Sequence, residues 1–508
     1  MRETAFRTRV HSWGRAYLLA TVTCLAVLPG VAWAQCEFDV TLVDPSSGGS
    51  SDEAGCAVAA SGDIVIVGAR GDDDRGSGAG SAHVYTNNGS GWVEGQPLLA
   101  LDGAADDHFG HSVSVSGGVV VVGSYGHAEA GAAYVFRYDG SIWVEEQKLT
   151  PSDGIAGDNF GYAVGVSGDV AVVGAYGVDD SGTSSGAAYM FRFDGSQWIE
   201  GQKLTASDGA AYDFFGVATA MSNDVAVIGA YLDDEGDANS GAAYVFRLDG
   251  SSWVEEQKLV ASDAAADDRM GTSVAVSGNR VIVGAPQDDD QGSNSGSAYV
   301  YRWDSSRWVE ETKLLLSDGA ALDTFGTSVA VFGDLAAVGA HLTDFDGVTD
   351  SGSVSVFSFD GSKWVEAERL LAPDGWYGDY FGYSVALSEG VTAVGAVKDD
   401  NSGNNSGSAY IFEGQCPSSE CESDGECDDG NPCTADVCAD GVCVAMSAPD
   451  FDGNGSVGLA DFEVFQVCLD PARSGDWEAL CPCCDLNGDG PIDLNDFSQM
   501  QSAFNEVP

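Results

Sequence analysis

Most of the chain alternates between four short patterns of apolar and polar residues, and each pattern is typical of one kind of β-strand. Segment 325–331 begins with Phe-Gly and alternates apolar and small polar residues up to a Gly-Asp turn. The unbroken apolar run 170–174 is typical of a strand buried on both faces. A third strand, such as 241–246, turns at Asp249-Gly250 into segment 253–259, whose alternating polar residues suit an outer, half-exposed strand. The pattern predicts four antiparallel strands per unit.

This unit is repeated seven times, every 51–56 residues. The glycine that ends the second strand recurs at Gly68, Gly123, Gly174, Gly229, Gly284, Gly339 and Gly395. The phenylalanine that begins the first strand recurs at Phe109, Phe160, Phe215, Phe325 and Phe381, with Met270 and Ala54 in the other two copies. Because one four-stranded unit cannot bury both faces alone, the repeats predict an all-β, seven-bladed β-propeller of four-stranded blades.

The outer strand predicts how the ring closes. Its tryptophan occurs only six times, because the seventh copy stops before an outer strand. Segment 38–42 near the N-terminus has the missing pattern, so we expect it to complete the seventh blade. Aligning Leu42 with Leu259 places Cys36 at the tryptophan position and Cys416 at the opposing turn. We therefore expect a Cys36–Cys416 disulfide, and the alternative is that Cys416 pairs within the tail.

The Phe-Gly starts and Gly-Ala ends across residues 37–413 resemble the FG-GAP repeat of integrin α-chain propellers and their bacterial relatives. The resemblance implies a propeller domain over residues 35–415 that serves as an interaction or adhesion platform. Integrin-type blades often carry a calcium loop between the first two strands. Here that connection is shortened to Ser-Gly-Asp, so this calcium function does not carry over.

The N-terminal residues 1–34 predict a signal peptide and an exported protein. Four arginines precede an apolar stretch, and Ala32-Trp33-Ala34 has the small-x-small pattern of a cleavage site. No later apolar run reaches the roughly 18–20 residues that a membrane span needs, so we expect a soluble monomer, secreted or at the cell surface. The formal net charge of −58 argues against nucleic acid and anionic membranes as partners and attracts cations.

Two aspartates recur in the loop before each Phe-Gly. One lies two residues before the phenylalanine position, at Asp52, Asp107, Asp158, Asp213, Asp268, Asp323 and Asp379. The other lies in an Asp-Gly-type turn, at Asp102, Asp153, Asp208, Asp263, Asp318 and Asp374. Recurrence in every blade favours turns that the fold needs over repeated catalytic acids. The acidic loops between the second and third strands lack regular calcium-ligand spacing, so we interpret them as solvated, with weak Ca²⁺ binding as the alternative.

The propeller sequence offers little for catalysis. An Arg-Gly-Asp tripeptide at residues 70–72 matches an integrin-binding sequence, but other blades carry unrelated residues there, so we interpret it as chance. His108 and His111 form the densest polar cluster with Asp106 and Asp107, and we interpret them as solvated loop residues. No nucleophile elbow, histidine metal motif or phosphate-binding glycine loop occurs, so we expect no enzymatic activity.

The composition changes to a Cys-rich segment over residues 416–446. Six cysteines recur at spacings of five or six, at Cys416, Cys421, Cys427, Cys433, Cys438 and Cys443. Such a segment is too short for a hydrophobic core and is expected to depend on disulfides. A zinc site is the alternative that these cysteines leave open.

Residues 447–508 contain two loops with the ligand pattern of EF-hand calcium sites. In each loop, side-chain oxygens at positions 1, 3 and 5 precede a glycine at position 6, position 7 provides a backbone carbonyl, and a carboxylate stands at position 12. The predicted Ca²⁺ ligands are Asp450, Asp452, Asn454, Ser456 and Asp461 in the first loop, and Asp485, Asn487, Asp489, Pro491, Asp493 and Asp496 in the second.

Each loop leads into a helix-like stretch, 461–467 or 496–504, and no helical pattern precedes it. A loop followed by a helix, duplicated 35 residues apart, resembles the type I dockerin module. Dockerins fold around two Ca²⁺ ions and bind cohesin domains, so the resemblance implies a small α-helical docking module with a cohesin-like partner. The insert with Cys468, Cys481, Cys483 and Cys484 departs from that family.

These patterns together favour a non-catalytic extracellular binding, adhesion or scaffold protein. The propeller would be the interaction platform for a protein or a cell-surface polysaccharide, and the calcium-dependent tail would dock it. The alternatives are an extracellular carbohydrate-active enzyme that carries a dockerin and a structural cell-surface component.

Overall fold

The computed structural model describes residues 39–43, 49–345, 347–413, 435–439 and 442–446. Strands in the first three ranges form seven antiparallel sheets, each of four strands. The described residues contain no helix, and so none with the length and apolar character needed to cross a membrane. The predicted all-β, seven-bladed propeller of four-stranded blades is therefore confirmed.

The chain enters the propeller at β1 (Asp39–Val43) and then builds blades one to three in order. Blade one contains β2 (Ala54–Ser61), β3 (Ile64–Ala69), β4 (Ser81–Asn87) and β5 (Trp92–Glu94). Blade two contains β6 (Ser112–Ser116), β7 (Val119–Ser124), β8 (Ala132–Tyr138) and β9 (Trp143–Leu149). Blade three contains β10 (Ala163–Ser167), β11 (Val170–Ala175), β12 (Ala187–Phe193) and β13 (Trp198–Leu204).

The remaining four blades repeat the same strand order. Blade four contains β14 (Ala218–Ser222), β15 (Val225–Ala230), β16 (Ala242–Asp249) and β17 (Ser252–Leu259). Blade five contains β18 (Ser273–Ser277), β19 (Arg280–Ala285), β20 (Ser297–Trp303) and β21 (Trp308–Leu314). Blade six contains β22 (Ser328–Phe332), β23 (Leu335–Ala340), β24 (Ser353–Phe359) and β25 (Trp364–Leu370). Blade seven contains β26 (Phe381–Ser388), β27 (Val391–Ala396) and β28 (Ser408–Glu413), followed in space by β1.

The ring closes through β1, as the missing outer strand of the seventh repeat predicts. β1 pairs antiparallel with β28, and the first strands of blades one and seven, β2 and β26, pack against each other. The register differs by one residue from the predicted alignment, because Val43, not Leu42, stands opposite the alanine that Leu259 faces in blade four. The outer strand of blade four also contains a β-bulge that β1 lacks, but the bulge lies beyond this pair, so the match of two leucines itself misplaces the pairing.

The repeated glycines allow neighbouring blades to approach each other closely. A side chain on Gly123 in blade two would overlap the Gly161 carbonyl, which belongs to the Phe-Gly pair that begins blade three. Gly161 has φ +89°, a conformation that favours glycine, and its own Cβ would overlap the Ala132 carbonyl. The Phe-Gly and Gly-Ala signatures of the repeat are therefore the contact points between blades.

The hydrophobic core lies between blades. Met190 and Leu204 of blade three pack with Ile228 and Phe246 of blade four and with Phe215, which is fully buried between them. Burial of one such side chain contributes about 1.5–3 kcal/mol. Stacking of blades supplies the core that a single blade lacks.

Outside the propeller, β29 (Ala435–Ala439) and β30 (Val442–Met446) form an antiparallel hairpin within the Cys-rich segment. The predicted signal peptide, the Cys36–Cys416 disulfide and both calcium loops with their ligands lie outside the described residues and stay predictions.

Candidate interaction site at the axial rim

The recurring aspartate two residues before each phenylalanine position is structural in all seven blades. Its carboxylate accepts a hydrogen bond from the backbone N–H three residues earlier, as from Ala265 to Asp268 at 2.7 Å. The seven side chains, all buried, are Asp52, Asp107, Asp158, Asp213, Asp268, Asp323 and Asp379. Burial raises the pKa of Asp268 and of Asp379 to about 6. The predicted role in the turn is confirmed. The donor is the backbone N–H of a residue that precedes the aspartate in the chain.

The second recurring aspartate joins a polar network at the same edge of the blades. In blade five, Lys313 Nζ lies 2.8 Å from Asp263, 2.7 Å from Asp288 and 2.6 Å from Asp290. The Tyr299 hydroxyl lies 2.8 Å from Asp263 and 2.9 Å from Asp288. Asp288 is buried, so the interpretation of this acidic loop as solvated is wrong for its first carboxylate. Across the described residues, no group of three His, Cys, Asp or Glu side chains is arranged to hold a metal ion.

The Arg-Gly-Asp tripeptide is tied into blade one. Asp72 is buried and accepts a hydrogen bond from the Ser81 hydroxyl at 2.6 Å. Arg70 forms an ion pair with Glu53 at 2.7 Å. Both charged ends are therefore engaged within the fold, which agrees with a chance occurrence of this sequence.

One set of residues breaks the regularity of the repeat. Three repeat positions lie at one end of the inner strands. One is the residue after Gly-Ala, where the second strand of a blade ends. The other two are the residues before and after Phe-Gly, where the first strand of a blade begins. Because the first strands of successive blades pack around the propeller axis, these positions surround its mouth. Among these positions, we give the name axial rim to nine residues between blades one and five. They are Arg70, His108, His111, Tyr125, Tyr162, Tyr176, Phe214, Tyr231 and Arg269.

The rings of the axial rim form a continuous run of contacts across blades two to four. His111 packs against Tyr162 with ring centroids 4.5 Å apart, and Tyr162 packs edge-on against Tyr176 at 4.6 Å. Tyr176 contacts Phe214 at 5.6 Å, and Phe214 stacks on Tyr231 at 5.6 Å. These separations lie in the range that aromatic pairs prefer. All five side chains are half-buried, so they form a preorganised surface that still faces solvent.

A cation stands at each end of this run. Arg70 pairs with Glu53, which also pairs with Lys398 of blade seven. At the other end, the Arg269 guanidinium lies 5.8 Å from the centre of the Tyr231 ring. The Arg269 Nε is buried and has no hydrogen-bond partner among the described residues.

The aromatic run itself carries no charge at neutral pH. Burial lowers the pKa of His111 to about 3, and the positive charge of Arg70 acts in the same direction. Burial raises the pKa of the Tyr162 hydroxyl to about 12. The run from His111 to Tyr231 is therefore a neutral aromatic surface between two arginines, on a chain whose formal net charge is −58.

The interpretation of the histidine cluster as solvated loop residues is wrong for His108, His111 and Asp107 and correct for Asp106. His108 stacks on Tyr125 with ring centroids 5.2 Å apart, and both are half-buried. Asp107 is buried and bonds His127 Nδ1 at 2.8 Å, while Asp106 is exposed. The sequence around the histidines does not show this packing. Tyr125 follows the second strand of blade two, whereas the histidines stand before its first strand, so they meet only in the folded blade. Comparing the three rim positions across all seven repeats would have shown the concentration of aromatic residues.

Exposed aromatic side chains stand farther out on the same edge of the propeller. Trp376 and Tyr377 are 69% and 68% exposed in the loop that enters blade seven. Tyr212 is 57% exposed in the loop that enters blade four. Large exposed apolar side chains around an aromatic centre are typical of protein–protein interfaces.

A ring of seven blades with one asymmetric aromatic edge is the architecture of a β-propeller interaction platform. The chain belongs to the FG-GAP repeat family, whose model matches residues 40–85, 92–136, 143–191, 198–246, 253–301, 308–357 and 364–412. No curated protein matches the chain. Each matched segment starts at an outer strand and runs into the next blade, and the first match starts within β1. The sequence repeat is thus offset from the blade by one strand, which is why β1 completes blade seven.

Proposed function

We propose that this chain is a secreted, non-catalytic binding protein whose axial rim holds a protein partner. The observation that carries the proposal is the contiguous aromatic run from His111 to Tyr231. The fold does not require these rings, because blade five has Thr272 and Pro286 at two of the three rim positions and keeps the same four strands. Rings without a structural need, gathered on one edge, favour a role in recognition.

The chemistry of the axial rim favours a protein over other partners. Tyrosine and arginine are the residues that most often dominate protein interfaces. The surrounding surface is strongly acidic, so a partner with a basic surface would be attracted by long-range electrostatics. We propose an apolar or aromatic anchor of the partner on the aromatic run, with carboxylate or carbonyl groups on Arg70 and Arg269.

The tail would add a second attachment. The two EF-hand-type loops with ligands from Asp450 to Asp496 support Ca²⁺ binding, and their resemblance to a dockerin supports a cohesin-like partner. Secretion is supported by the signal pattern of residues 1–34 and by membership of a family with many extracellular members. Calorimetric Ca²⁺ titration of the full chain tests this part. We expect two sites, and the Asp450→Ala/Asp485→Ala variant should abolish them; heat unchanged in the variant would contradict the assignment.

Site-specific photo-crosslinking tests the axial rim. A benzoylphenylalanine at Tyr176 is compared with one at Tyr138, an exposed aromatic residue at the opposite edge of blade two. We expect a discrete protein adduct from Tyr176 alone when the full chain is produced in its native surroundings. Adducts of the same protein from both positions, or from Tyr138 alone, would contradict a partner at the axial rim.

A further inference from the structure

Blade six differs from its neighbours in the polar network beneath the loops. Five blades carry a buried tyrosine on the third strand, namely Tyr134, Tyr189, Tyr244, Tyr299 and Tyr410. Blade six carries Ser355 at this position, opposite Arg369, just as Tyr299 stands opposite Lys313 in blade five. The Ser355 hydroxyl donates to Glu366 at 2.8 Å and so lies away from the network that the tyrosines join.

A cavity of about 250 Å³ opens where the tyrosine is missing. The positions that surround the tyrosine in blade five are occupied in blade six by Asp318, Thr343 and Arg369, and all three line the cavity. Since one water takes about 30 Å³ and drug-sized ligands need pockets above about 300 Å³, the cavity suits a ligand the size of one sugar ring.

The polar groups of this cavity include both a free donor and free acceptors. Arg369 Nη1 pairs with Asp318 at 2.6 Å and Nη2 contacts Ser317 and Glu366, so one N–H of Nη1 has no partner in the described part of the chain. Asp344 accepts the backbone N–H of Asp350 at 3.0 Å, and within the same described residues nothing donates to the Asp350 carboxylate. The apolar side chains of Leu322 and Phe345, both exposed, complete the wall.

Three ligand classes fit these groups unequally. An anion would face the carboxylates of Asp318, Asp344 and Asp350, and a cation would lie beside the Arg369 guanidinium without accepting a hydrogen bond from it. A hydroxyl group donates one hydrogen bond and accepts others, so a neutral polyhydroxylated ring can satisfy both kinds of group. Its C–H face would lie against Phe345.

We propose that the blade-six cavity binds a single neutral sugar residue, free or at the end of a glycan. Sugar hydroxyls donate to Asp344 and Asp350 and accept from Arg369, and the apolar face of the ring packs on Leu322 and Phe345. This site is separate from the axial rim and does not depend on the proposed protein partner.

The test is ligand-observed NMR and calorimetry on the full chain with methyl glycosides of neutral hexoses, a deoxyhexose and an N-acetylhexosamine. At least one probe should bind with a Kd of about 1 mM. The Ser355→Tyr/Arg369→Lys variant restores the residues of blade five, and it should bind at least about tenfold more weakly while keeping the melting temperature. Tyr176→Ala in the axial rim is the matched control and should bind the same probe normally.

Several results would overturn the proposal. One is no binding of any probe at about 10 mM, and another is equal binding by the filled-cavity variant. Binding of Ca²⁺ alone or of free lysine, lost in that variant while no sugar binds, would assign a cation site instead. Tighter binding of an oligosaccharide than of its terminal methyl glycoside, with the same loss in the variant, would support a glycan end as the natural source.

Discussion

The lysine of blade four should contribute far more stability than the lysine of blade three, although both stand at the same repeat position. Lys258 Nζ lies 2.7 Å from Asp208, 2.9 Å from Asp233 and 2.6 Å from Glu235. The Asp233 side chain is only 5% exposed, so it depends on the lysine for its counter-charge. The Tyr244 hydroxyl, 2.7 Å away, is neutral and offers only a hydrogen bond.

Blade three provides the matched control. Lys203 Nζ reaches Asp153 at 2.9 Å and Asp180 at 2.6 Å, and both carboxylates are about half exposed. Val178 stands in place of the buried aspartate. Removing Lys203 therefore leaves only solvated carboxylates, whereas removing Lys258 leaves a buried one.

The expected magnitudes follow from burial. Lys258→Met should lower the free energy of unfolding by about 3 kcal/mol, the cost of leaving a buried charge unpaired. Lys203→Met should cost about 1 kcal/mol or less, because exposed pairs contribute little. Adding Asp233→Val to Lys258→Met introduces the valine of blade three in place of the buried carboxylate and should recover about 2 kcal/mol. With about 2.1 cal/mol/K per residue, the ring of residues 39–413 has an unfolding entropy of roughly 0.8 kcal/mol/K, so 3 kcal/mol corresponds to about 4 °C.

Urea and thermal unfolding of the four proteins, followed by near-ultraviolet circular dichroism, measure these differences. Equal losses for Lys258→Met and Lys203→Met would contradict a stabilising role of the buried pair, because burial of the partner would then not matter. Failure of Asp233→Val to restore stability would refute it independently. A lysine that acts only through its aliphatic stem would give both of these results.

Three further predictions concern the ring itself. Because burial raises the pKa of Asp268 to about 6, above its unfolded value, the folded state holds this proton more tightly, so Asp268 should add roughly 1 kcal/mol of stability as pH falls from 7.5 to 5. Asp268→Asn should remove that contribution from the slope in urea melts, and an unchanged slope would contradict it. Gly161→Ala should cost more than about 3 kcal/mol in the same assay, since its φ is +89° and its Cβ would meet the Ala132 carbonyl; a loss below about 1 kcal/mol would contradict the tight contact. Deleting residues 39–43 should expose the edge of β28 and produce oligomers on size-exclusion chromatography with light scattering, whereas a monomer of unchanged stability would contradict closure by β1.

The architecture of the propeller could be predicted because the same strand pattern occurs in seven copies. Each copy carries its own strand pattern and glycine signature, and the count of tryptophans identifies the shared blade. The register of β1 could not be predicted as well, because Leu42 and Val43 are both apolar and only the pairing of the two strands shows which of them takes the place of Leu259.

The candidate site was harder to predict because it depends on neighbouring blades. His111 and Tyr162 lie in different repeats and touch only once the ring has formed, so neither local sequence indicates the contact. The cavity of blade six has the same origin, since Ser355 is an unremarkable strand residue until the other blades show what it replaces. Departures from the repeat, rather than the repeat itself, carry the information about function.

The affinity of the crosslinked partner for matched variants tests the axial rim as the binding surface. The rim variant Tyr125→Ala/Tyr176→Ala and the opposite-edge variant Tyr138→Ala/Val144→Ala are compared with the unmodified chain by calorimetry. If the axial rim is the binding site, the rim variant should bind at least about 30-fold more weakly, as expected for the loss of about 2 kcal/mol or more at a hot spot, and the opposite-edge variant should bind normally. Equal affinities for all three proteins would contradict the axial rim as the binding surface.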